Sequence, residues 1–276
     1  MKMKQRLKLM MAIAVMILIA GCTSEKTQAA GVVSLKTEKV YRQYDITGNG
    51  KRDTLQIKKI GDKDNMFEGI HVYVNDRKVL TEMNWYYELK AKVIRLKNGK
   101  DYLFFHFSGD NDDGASSIYE YKNGDLRKCV DLVSVIDSMG YHSWADIDRV
   151  EGNKVIIDHS SMSYALANVH FESRYQFRKG KLKLQSNSHK VTGYYNGKGK
   201  LGIKKLTATK SAILYREKTM KNIKGRMKKG DKLRIMECYI SGKMISYYVE
   251  LENGKSGWYR SPRSCTQPFK EIGYAA

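Results

Sequence analysis

Val93-Ile94-Arg95-Leu96, then Asn98-Gly99, then Tyr102-Leu103-Phe104-Phe105-His106-Phe107 decide how this chain folds. Two short runs of branched and aromatic residues flank a dipeptide that accepts positive φ, and that order makes an antiparallel hairpin. The rhythm repeats in both directions. Thr54 to Ile60 and Ile70 to Val74 come before it; Ile118 to Tyr121, Lys154 to Asp158 and Phe171 to Phe177 follow. Asn123-Gly124, Gly152-Asn153 and Lys179-Gly180 supply further turns. The pattern predicts an all-β, antiparallel meander over residues 36–184, not a set of βαβ units. Ser134 to Met139 is the one short helical stretch expected.

Downstream, residues 185–205 hold four glycines among lysines with few large apolar side chains, and they read as a basic flexible linker. A second group of short strands occupies 206–260, the size of a small barrel, followed by a tail over 261–276. Four landmarks lie in order there. They are Ala212-Ile213-Leu214-Tyr215, Met227 to Ile235 with its Lys229-Gly230-Asp231 turn, Tyr247 to Leu251, and Asn253-Gly254-Lys255-Ser256-Gly257-Trp258-Tyr259. This order resembles the bacterial SH3 (SH3b) family. The resemblance implies a small SH3-like barrel whose usual role is to bind peptidoglycan or another envelope ligand. Tyr215, Tyr247, Tyr248, Trp258 and Tyr259 are the expected aromatic ligand surface, with core and rim packing as the competing reading of each tyrosine.

At the other end, MKMKQRLK precedes an apolar run from Leu9 to Ala20, then Gly21 and Cys22, the order of a secretory signal. Those 12 apolar residues make about 18 Å of helix, whereas a bilayer core needs roughly 20 residues. Ile19-Ala20-Gly21-Cys22 resembles a lipobox, which implies cleavage after residue 21 and a lipid on Cys22. Residues 1–21 are then a signal peptide and 22–35 a tether. The expected location is the outer face of the cytoplasmic membrane, in a Gram-positive cell.

Without residues 1–21, which carry four basic side chains and no acid, the chain has 46 Lys+Arg against 29 Asp+Glu, a formal +17. From Arg178 to Arg234 there are 19 basic residues and only Glu217 and Asp231 as acids, so the whole excess sits there. Such polarity points to a polyanion. For an exported chain the candidates are wall polymers and anionic headgroups, or else the lysines form a solvated face with no ligand. Nucleic acid is a poor candidate outside the cell.

Asp45-Ile46-Thr47-Gly48-Asn49-Gly50-Lys51-Arg52-Asp53 places oxygen-bearing side chains at its first, third, fifth and ninth positions and Gly50 at the sixth. It resembles the calcium loops of FG-GAP and VCBS repeats, and the 36–184 domain is similar to those β modules. The implied calcium ligands are Asp45, Thr47, Asn49, the Lys51 carbonyl and Asp53. Thr47 stands where an Asp is usual and no Glu occupies the twelfth position, so the expected affinity is only about 10⁻⁴ to 10⁻³ M. A metal-free Asx turn is the alternative. Asp110-Asn111-Asp112-Asp113-Gly114 is a second acidic loop, read as a solvated turn or part of a cation site.

Lipidation leaves Cys129, Cys238 and Cys265, enough for one bridge, and Cys238 with Cys265 is the expected pair. The six histidines form no recognisable catalytic set, and H-E-x-x-H, G-x-S-x-G and a phosphate-cradling loop are all absent. A binding module is therefore expected rather than an enzyme. A docking subunit of a membrane complex is the second expectation, and a hydrolase using Cys129 or a histidine the third.

Overall fold

The computed structural model describes residues 29–61, 63, 66–97, 99–109, 114–133, 143–179, 181–194, 202, 205–242, 244–262, 264 and 266–272. Cys22, Asp110 to Asp113, Ser134 to Met139 and Cys265 lie outside them. The chain is all-β and every strand pairing is antiparallel.

The first nine strands are β1 (Gly31–Leu35), β2 (Val40–Tyr44), β3 (Asp53–Ile60), β4 (Phe67–Val74), β5 (Arg77–Tyr86), β6 (Glu88–Arg95), β7 (Asp101–Ser108), β8 (Gly114–Lys122) and β9 (Asp125–Asp131). They make a four-stranded sheet, β2-β3-β4-β5, and a five-stranded one, β1-β6-β7-β8-β9. Leu55, Ile57, Ile70 and Val72 of the first pack against Leu103, Phe105 and Phe107 of the second. The next five are β10 (Ser143–Glu151), β11 (Lys154–Ser163), β12 (Ala167–Arg178), β13 (Lys181–Leu184) and β14 (Ser188–Tyr194). Their Ala145, Ile147, Val155 and Ile157 cover the opposite face of the five-stranded sheet at Ile94, Tyr102, Phe104 and Ile118. That sheet is thus a middle layer. β7 is buried from Asp101 to Phe107 without a break, which is why Tyr102 to Phe105 are large and apolar in succession and do not alternate.

The last strands are β15 (Leu206–Thr207), β16 (Ala212–Tyr215), β17 (Ile223–Met227), β18 (Lys232–Ser241), β19 (Met244–Leu251) and β20 (Ser256–Arg260). They do not form a separate sheet. The order β10-β11-β12-β14-β18-β19-β20-β16-β17 is continuous, joined where Ser188, His189 and Lys190 of β14 pair with Tyr239, Cys238 and Glu237 of β18.

Two expectations are corrected. The 185–205 stretch is not simply a linker, because residues 188–194 are β14, a strand inside the largest sheet. The alternation buried His189, exposed Lys190, buried Val191, exposed Thr192 carries it, and its exposed half gave the stretch its linker-like composition. The 22–35 stretch is not all tether either: residues 31–35 are β1, paired with β6 from Gly31↔Arg95 to Leu35↔Ala91. The C-terminal core also reaches across the expected boundary. Ala165, Leu166, Val169 and Phe171 share one cluster with Leu214, Leu233, Ile235 and Val249.

Candidate anion-binding groove

β16 and β17 form a hairpin in which Leu214 lies opposite Gly225 and Tyr215 opposite Ile223. β20 joins the other side of β16 at Tyr215↔Trp258. The approach there is close: a Cβ on Gly257 would come to 3.0 Å from both Leu214 Cβ and the Tyr215 carbonyl oxygen. The turn that delivers β20 is closed by Gly254 N–H donating to the Leu251 carbonyl at 3.0 Å, with Gly254 at φ 81° where a side chain would be strained.

Between that turn and β17 lies a cavity of about 220 Å³ lined by Leu214, Lys224, Gly225, Arg226, Gly254, Lys255 and Ser256. Among the described residues three cations and no carboxylate line it. Lys224, Arg226 and Lys255 are exposed, and Lys224 Nζ donates to Ser256 Oγ at 3.2 Å. Of the nearby acids, Glu252 is ion-paired with Lys205 at 2.5 Å, while Glu250 sits opposite Ser256 in the strand register. A concave wall of one sign concentrates the field and attracts an anion.

The five expected aromatic residues divide by strand period. Tyr247 and Tyr259, paired in register, face the core. Tyr247 is wholly buried, and burial pushes the Tyr259 hydroxyl up to about 12. These two are removed from the expected ligand surface. Tyr248 and Trp258 pair on the opposite face, rings 5.4 Å apart, with Tyr215 level with Trp258; Trp258 is itself only 9% exposed, so Tyr248 and Tyr215 are the half-exposed members. Tyr248 Oη donates to Ser256 Oγ at 3.0 Å, so this aromatic pair adjoins the groove through Ser256. The sequence offered none of Lys224, Arg226 or Lys255 as a ligand-binding residue. The signal for Lys224 and Arg226 was the density of basic residues and that for Lys255 its place in the Asn253–Tyr259 landmark; neither carries a spatial address until β17 meets the β19–β20 turn.

The expected calcium loop closes on itself. Asp45 accepts the N–H groups of Asn49 at 3.0 Å and Gly50 at 2.8 Å; Asn49 Oδ1 accepts Lys51 N–H at 2.8 Å. Asp53, buried, accepts Thr47 N–H at 2.8 Å and Asn75 Nδ2–H at 2.6 Å. Only two carboxylates converge, and both already serve N–H donors. Among the described residues no group of three or more His, Cys, Asp or Glu is placed to hold a metal. These hydrogen bonds close the loop as an Asx turn.

Cys238 carries a free thiol buried in β18, and its expected partner, Cys265, is outside the described residues. Burial raises the Cys238 thiol far above its usual range and pushes that of Cys129 up to about 12. Neither is poised as a thiolate nucleophile. The closest serine–histidine contact among the described residues is Ser116 Oγ to His106 Nδ1 at 2.8 Å, with both residues buried in the β7–β8 pair; Ser160 Oγ lies 3.5 Å from His170 Nε2 and donates to Asn168 Oδ1 at 2.5 Å.

Comparison with protein-family models, with curated proteins and with solved structures finds no match to this chain.

Proposed function

We propose that this chain is a lipid-anchored binding module of the cell envelope, with an SH3b-like C-terminal barrel that holds an anionic wall polymer. The observation that carries the reading is the groove: Lys224, Arg226 and Lys255 share one cavity with no lining acid. Its support comes from the lipobox-like Ile19-Ala20-Gly21-Cys22 and from the basic excess between Arg178 and Arg234. Lipid on Cys22 would hold the module at the outer face of the membrane, since two acyl chains anchor stably where one does not. The groove then meets polymer as the wall threads past.

The test is retention of residues 23–276 on purified cell walls at low and high salt, beside a Lys224→Ala/Arg226→Ala/Lys255→Ala variant. Retention that weakens with salt, and falls about tenfold in the variant, is expected for exposed charge contacts. Equal retention of variant and parent, or none of the parent at either salt, removes the reading. Binding to anionic vesicles alone would reassign the ligand to headgroups.

A second reading, a docking subunit of a membrane complex, has its own observation. Met83 and Trp85 near the end of edge strand β5 and Tyr87 just past it are 56%, 58% and 47% exposed. Apolar strips of this kind mark protein contacts. A photo-crosslinker at position 85 should then trap a defined protein in intact cells, and recovery of wall material alone would discard it.

A further inference from the structure

Phe171 lies between two buried imidazoles. His159 stacks on it with centroids 5.2 Å apart and planes 9° from parallel, and His189 lies 5.2 Å away on a tilted plane. His159 is fully buried, and among the described residues neither of its ring nitrogens has a hydrogen-bond partner. His189 is 5% exposed, with Ser173 Oγ at 3.2 Å from its Nδ1. Buried polar atoms left without partners are rare and unfavourable. A leucine or phenylalanine at position 159 would avoid this.

The location gives the stack a use. The three-residue pairing of β14 with β18 is where the large sheet passes from the N-terminal layers to the C-terminal strands, and His189↔Cys238 is its middle pair. The stack also lies between two cores, with Ile157 and Tyr175 on one side and Phe171, Val191 and Cys238 on the other. Among the described residues no carboxylate acts on either imidazole, and Asp131 of β9 acts on the neighbouring Tyr175. From β12 come Ser173, Phe171 and Tyr175, whose hydroxyl burial keeps protonated; from β18 comes Cys238, likewise protonated; from β10 comes Ala145, opposite His159. The nearby charged groups, Asp146, Asp158, Glu172, Lys190 and Glu237, occupy alternate positions and project from the opposite face of their strands.

We propose that the His159–Phe171–His189 stack is an acid-sensitive joint, closed at neutral pH and loosened at the β14–β18 pairing when the imidazoles take up protons. Both rings are neutral when buried here, with burial lowering His189 to about 4 and His159 to about 3. Their ordinary value is 6.5, so an opened joint binds protons that the closed one refuses. Acid therefore favours opening, and the effect grows as pH falls from about 6.5 towards 4. Two cations on either side of one ring would also repel each other.

Hydrogen–deuterium exchange on the full mature chain, at pH 7.5 and pH 4.5 with intrinsic rates corrected, reads this directly. Amides of 187–191 and 237–240 should lose at least about tenfold protection at the lower pH, while those of β3 and β4 keep theirs. A His159→Gln/His189→Gln variant, titration-free at both positions, should lose the pH dependence. Unchanged protection of the β14–β18 amides in the parent overturns the proposal, and so does an equal loss in all sheets. If the variant does not fold, the imidazole C–H resonances of the parent decide: a titration of both rings near pH 6.5 in the closed state would overturn it as well.

Discussion

Tyr247 Oη donates to Ser163 Oγ at 2.8 Å, joining β19 to the end of β11 across 84 positions of sequence. Both groups are buried, and Ser163 Oγ also accepts Leu166 N–H at 3.0 Å. The contact fastens the C-terminal strands to the β11–β12 turn, whose Ala165 and Leu166 complete their core. Tyr247→Phe removes one hydroxyl and keeps the ring. A loss of about 1–2 kcal/mol is expected, read as a fall in Tm of about 2–6 °C. An unchanged Tm would show that the bond contributes nothing.

Asp101 holds the base of the Asp45–Asp53 loop. Its carboxylate takes Arg95 Nε–H at 2.6 Å and Arg95 Nη2–H, and accepts Asp45 N–H at 3.0 Å. The Asp101 side chain has no exposure and that of Arg95 only 13%. Replacing Asp101 by Asn leaves the guanidinium buried without its counter-charge, which should destabilise by about 3–5 kcal/mol. Chemical denaturation measures it. A midpoint within error of the parent would mean that water or another acid reaches Arg95.

Asp146, Asp158 and Glu172 lie side by side across β10, β11 and β12. Lys92 neutralises Asp146 at 2.5 Å, and Arg149 and Arg174 bond to Glu172. Burial first, then Asp148, Asp146 and Glu172, raise Asp158 from 3.8 to about 6. A carboxyl raised on folding binds its proton more tightly in the native state. Lowering pH from about 6 to 4 therefore stabilises the native state at this site, and ionisation above 6 is the unfavourable condition. Asp158→Asn should be more stable than the parent at pH 7.5, by on the order of 1–3 kcal/mol, with the difference gone at pH 3.5. Thermal melts at the two pH values check this; an equal difference at both would point to packing instead.

Cys238 should resist thiol reagents in the native protein, because its Sγ is enclosed in the C-terminal core and its thiolate is suppressed. Mass mapping after brief alkylation at pH 8 should find it unmodified, and fully modified after denaturation under reducing conditions. Rapid native labelling would place the thiol at an accessible surface.

Strand composition was legible wherever the signal was local. Tyr102 to Phe107, Thr54 to Ile60 and the glycine turns are strands and turns in the structure because β-branched and aromatic residues, and residues tolerating positive φ, act over a few positions. β14 was hidden for a related reason. Lys190 and Thr192 are exposed and the strand runs into a Gly/Lys-rich stretch, and what makes it a strand is its neighbours β12 and β18.

By itself the sequence determined that the chain is all-β and antiparallel, and that its positive charge gathers between Arg178 and Arg234, because strand periodicity and composition are written in adjacent residues. Tertiary structure alone decided that Tyr247 and Tyr259 face the C-terminal core while Tyr248 and Trp258 pair on the other face of the sheet, and that Lys224 and Arg226 meet Lys255 across a cavity. Alternation gives a strand two faces without saying which one another sheet will cover. That choice is made by burial summed over strands far apart in the chain.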